Sequence, residues 1–68
     1  MSKLREAFEG VREKYGVVAE TATGIMESLG DSTEDSELRE FLGRVRSDAR
    51  RTISWVGEVT KVYRRQYE

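Results

Sequence analysis

Five arginines recur in register along the last third of the chain: Arg44, Arg51 and Arg65 share one heptad position, and Arg50 and Arg64 take the position beside it. Guanidinium groups set in a line can pair with carboxylates or phosphates and can stack on flat rings, and Trp55, Tyr63 and Tyr67 supply rings nearby. The first half carries the opposite line, Glu6, Glu13, Glu20 and Glu27, one at every seventh residue. Catalytic chemistry has little to work with. The chain has no histidine and no cysteine, so it lacks the usual neutral-pH base, the thiolate nucleophile and the common zinc ligands. Its glutamates fall on faces expected to be solvated, and burial is what tunes a carboxylate for proton transfer. No glycine-rich phosphate loop and no carboxylate set at calcium-loop spacing occurs. The sequence is read as non-enzymatic, with no catalytic residue, metal or cofactor expected.

The elements that must position these charges follow from apolar spacing. Leu4, Phe8, Val11, Tyr15, Val18, Ala22, Ile25 and Leu29 alternate by four and three steps, which keeps one stripe on a helix. Leu38, Leu42, Val45, Ala49, Thr52, Val56, Val59 and Tyr63 repeat the pattern, with Thr52 the one polar member. Between them, "GDSTED" offers Gly30 for a left-handed helix end, Asp31, Ser32 or Thr33 for a cap, and acidic residues for the first turn of the next helix. The fold class expected is therefore all-α: an antiparallel two-helix hairpin forming one domain over residues 1–68, with helix 1 near 3–29, a turn at 30–33 and helix 2 near 34–67.

Laid head to tail, the two stripes pair along their whole length, Leu29 with Leu38, Ile25 with Leu42, Ala22 with Val45, Val18 with Ala49, Val11 with Val56, Phe8 with Val59 and Leu4 with Tyr63. Tyr15 falls opposite Thr52, where two hydroxyls would fix the register. The hairpin is expected to be about 40 Å long, from the rise of helix 1.

A two-helix hairpin with one apolar stripe is marginal in water. Further apolar residues lie beside the stripe: Phe41, Trp55 and Val62 on one flank of helix 2, interrupted by Asp48, with Ala7, Thr21 and Ser28 on the matching flank of helix 1. Aromatics grouped on a small surface are common interface anchors. The sequence therefore points to a small interaction module, an adaptor, regulator or inhibitor. Its apolar interface would be Phe41, Trp55, Val62 and Ala7, and its electrostatic face Arg44, Arg50, Arg51, Arg64 and Arg65. The expected partner is a second copy, giving a dimeric four-helix bundle, or a larger protein.

Two other readings use the same residues. The arginine line could bind nucleic acid, with the tyrosines and Trp55 stacking on bases. The net charge of −1, the isoelectric point near 5.5 and the glutamate line weigh against a polyanion. Amphipathic helices could also lie on a membrane surface, but their polar faces mix both signs. The longest apolar run, Val17 to Ala19, is too short to span a bilayer, and "MSKLREAFEG" has charge where a secretory signal needs an apolar core. A soluble, cytoplasmic protein is expected. "WVGEV" contains a Trp-x-Gly triplet similar to the turn signature of a family of small secreted helical hairpins. Here Trp55 and Gly57 fall deep in helix 2, and "VYRRQYE" lacks an acidic residue four places after Tyr63.

Overall fold

The structure, a computed structural model, describes residues 3–67 and, of Tyr67, the backbone alone. Met1, Ser2 and Glu68, which the expected domain includes, lie outside the described residues, as does the Tyr67 side chain counted above among the stacking rings. Two helices, α1 (Lys3–Ser28) and α2 (Thr33–Tyr67), pack antiparallel as a helical hairpin. A chain without proline and with apolar residues every three to four positions favours this outcome. Gly10, Gly16 and Gly24 do not interrupt α1. The long dimension is 52 Å rather than the shorter length expected from helix 1, because the 35 residues of α2 set it.

Side chains from Ser32 and from α2 close the turn. Ser32 Oγ accepts from the Asp35 amide at 3.0 Å, and Asp35 Oδ2 accepts from the Gly30 amide at 2.8 Å, a capping arrangement at the start of α2. The Arg39 guanidinium donates to the carbonyls of Leu29 at 3.3 Å and Gly30 at 2.9 Å, satisfying acceptors left open where α1 ends. The left-handed conformation expected at Gly30 is not adopted; no glycine among the described residues has positive φ. What Gly30 provides is room. A Cβ there would sit 3.1 Å from Asp35 Oδ2.

The helices meet on a face turned away from the expected one. In heptad letters, Phe8, Tyr15, Ala22 and Leu29 are a positions and Leu4, Val11, Val18 and Ile25 are d positions of α1; α2 has Leu42, Ala49, Val56 and Tyr63 at a and Leu38, Val45, Thr52 and Val59 at d. The buried core is Ala19, Ala22, Ala49 and Val56, three a positions and one e position. Around it lie half-buried Thr23, Met26, Arg46 and Ile53. All four d residues of α1, and Leu38 of α2, remain exposed. The stripe expected to close the hairpin is thus split: Ala22, Ala49 and Val56 at a are buried, Tyr15 and Tyr63 at a and the d residues of α1 are exposed, and Val45, Thr52 and Val59 at d of α2 are half-buried.

Small residues explain the shift. Ala19, Ala22 and Ala49 let the two backbones approach, and larger d side chains would hold them apart. Arg46 then bridges the helices, its Nη1 donating to Thr23 Oγ1 at 3.3 Å, while Thr23 Oγ1 donates to the Ala19 carbonyl at 3.0 Å. At the open end the Phe8 ring packs on Tyr63, centroids 5.7 Å apart, whereas the expected pairing gave Tyr63 to Leu4 and Val59 to Phe8. The Thr52 hydroxyl donates to the Asp48 carbonyl at 3.0 Å, one turn back in its own helix, so the register is not set by a Tyr15–Thr52 hydrogen bond.

Candidate docking face

Closing on the a and e positions has a geometric consequence. In antiparallel helices that turn toward their e positions, the d and g positions of both helices emerge on the same side of the pair. One broad face therefore carries Val11, Val18 and Ile25 from α1, and Leu38, Phe41, Trp55 and Val62 from α2. Trp55 is 64% exposed, Phe41 61% and Val62 49%. A shallow apolar groove of about 210 Å³ runs between the helices on this face, lined by Val17, Val18, Thr21, Ala22, Ile25, Leu42 and Val45.

The expected anchors Phe41, Trp55 and Val62 share this face, and Ala7, also exposed, lies on the matching flank of α1. The d residues add to them. Sequence reasoning had placed Val11, Val18 and Ile25 inside the hairpin. Val17, 54% exposed, was also missed; it lines the groove and is the one apolar residue at its heptad position in α1.

The five arginines do not share one face. Arg44, Arg51 and Arg65 line the outer flank of α2 beside the apolar anchors, and Arg51 pairs with Asp48 at 3.6 Å. Arg50 and Arg64 lie on the opposite side. Arg50 lines a hollow with Glu20 and Glu27, and Arg64 lines another of about 440 Å³ with Arg5, Glu9, Arg12, Glu58 and Lys61. That side mixes both signs at short range. Arg5 pairs with Glu9 at 3.7 Å and Lys61 with Glu58 at 3.7 Å, each within one helix and exposed, so each pair contributes under about 1 kcal/mol.

Arg39 and Arg46 were not singled out from the sequence, although they are the arginines that hold the fold together. Their e positions were the available signal. Among the described residues, no group of three His, Cys, Asp or Glu side chains is placed to hold a metal ion, and no helix is long and apolar enough to cross a membrane.

What the geometry defines is an all-α antiparallel hairpin with one apolar broad face and one mixed-charge face. No protein-family model, curated protein or solved structure matches the chain.

Proposed function

We propose that this protein is a non-enzymatic protein–protein interaction module that docks through the d and g face of its hairpin. The observation that carries the reading is the collection of large apolar side chains on one side of a molecule whose own core consists of three alanines and a valine. Monomeric soluble proteins rarely leave a contiguous apolar patch beyond a few hundred Å² uncovered. Here the face runs most of a 52 Å molecule, with an aromatic ring toward each end. Trp55 and Phe41 serve as anchors, Val62 and the α1 d residues widen the contact, and Arg44, Arg51 and Arg65 at its edge select partners by charge.

Photocrosslinking in the native host tests this reading. A photoreactive side chain at Phe41 or Trp55 is expected to give protein adducts, and the same group at Ser47 or Ser54, on the other side of α2, is expected to give few. Equal yields from both sides, or none from the apolar face, would overturn it.

A further inference from the structure

We infer that the occupant of the apolar face is a second copy of this chain, packed so that α1 of each copy lies over α2 of the other; this rests on the docking reading above. Size allows a second copy. The molecule spans 52 × 15 Å on this side between Cα extremes, room for the roughly 800 Å² that each partner contributes to a standard stable interface.

Two-fold symmetry allows two ways of laying this face on its own image. With the axis perpendicular to the helices, α1 covers α1 and α2 covers α2. Phe41, Trp55 and Val62 would then face their own copies, large against large, and Ala7, Thr21 and Ser28 theirs, small against small, which packs poorly. With the axis parallel to the helices, α1 covers α2 of the other copy. Arg44 and Arg51 then fall beside Gly24 and Val17, Glu58 beside Gly10, and Arg65 beside Lys3, the one like-charge neighbour along this edge. No side chain crowds Gly24, which leaves Arg44 room at this edge.

A parallel axis also fixes the register, because rotation about it leaves every residue at its own height. The Arg46–Thr23 hydrogen bond and the Met26 contact at Gly43 give the levels within the hairpin. Counted outward from them, Trp55 of one copy falls at Lys14 of the other, Phe41 at Ser28, Asp48 at Thr21 and Val62 at Ala7. Each large apolar side chain meets a smaller residue or, for Trp55, the flexible stem and ammonium of a lysine that can lie on its ring.

The test combines sedimentation with disulfide trapping, which the cysteine-free chain makes unambiguous. Full-length protein is expected to sediment as a dimer that dissociates on dilution, and Trp55→Asp is expected to weaken the dimer at least about thirtyfold. Thr21→Cys and Asp48→Cys, mixed under mild oxidation, are expected to form a mixed disulfide, while neither forms a dimer efficiently alone. A wild type that stays monomeric at its highest soluble concentration would overturn the second-copy assignment; photocrosslinks to another protein would then leave the docking reading standing. A dimer in which either cysteine variant links to itself in preference to the mixed pair would overturn the crossed arrangement.

Discussion

Arg46 and Thr23 join the two helices toward the C-terminal end of α1, Nη1 to Oγ1 at 3.3 Å, on the side of the hairpin opposite Trp55. Both side chains are half-buried, and the Arg46 stem covers apolar surface while its head satisfies the threonine. Arg46→Ala is expected to lower stability by about 1–2 kcal/mol in urea unfolding of dilute protein. A double-mutant cycle with Thr23→Val should return a coupling of about 0.5–1.5 kcal/mol. Strict additivity would mean that the pair contributes nothing to closing the hairpin.

Arg39 acts at the turn. By donating to two carbonyls at the end of α1 it fixes the point at which the chain reverses. Arg39→Ala is expected to cost about 1–3 kcal/mol and to accelerate amide exchange in the turn more than at Ala49. Ser32→Ala, which removes the cap on α2, should cost about 1 kcal/mol. Wild-type exchange rates through residues 29–35 in the arginine variant would remove the clamp from the account.

The glycines separate by what surrounds them. Gly16 has open space where a Cβ would go and sits in an uninterrupted helix, so Gly16→Ala is expected to stabilise by about 0.5–1 kcal/mol. At Gly43 the new Cβ would meet Met26 Cε at 3.7 Å, an ordinary contact, and the same propensity gain applies. Gly30→Ala is expected to destabilise, because the Cβ would crowd the Asp35 carboxylate that accepts the Gly30 amide. Thermal melts of the three variants give the order, and a stabilising Gly30→Ala would show that the turn tolerates a side chain.

Burial and association should also separate. Val56 and Ala49 are 3% and 2% exposed, so Val56→Ala is expected to cost about 1–3 kcal/mol by opening a cavity, and Ala49→Leu a similar amount by forcing the helices apart. Phe41→Gln and Trp55→Gln change side chains that the hairpin scarcely uses. At dilution they are expected to alter stability by no more than about 0.5 kcal/mol while weakening self-association. A large loss of monomer stability in either glutamine variant would mean that the aromatic ring completes the hairpin's own core.

Helix boundaries, turn position and antiparallel pairing were legible because each rests on local signals: four-and-three spacing, absence of proline, and "GDSTED" between two regular runs. Which side of the stripe faces inward was not legible. Val18 and Ile25 are larger and more apolar than Ala19 and Thr23, so hydrophobicity ranks them for the interior; the chain instead buries the alanines. In a pair of helices with no third layer, close backbone approach competes with the burial of large side chains, and spacing alone does not decide between them. The exposure of Phe41, Trp55 and Val62 could be read because they fell outside the stripe. Arg39 and Arg46 could not, since a long cation beside a stripe is equally at home in solvent.

Trp55 is the sole tryptophan of the chain, so its fluorescence reports on the proposed face without interference. Emission and acrylamide quenching followed from dilute to concentrated protein should change together: the maximum moves to shorter wavelength and quenching falls as a second copy covers the ring. An emission maximum and quenching constant that stay those of a water-exposed indole at every concentration would contradict the account.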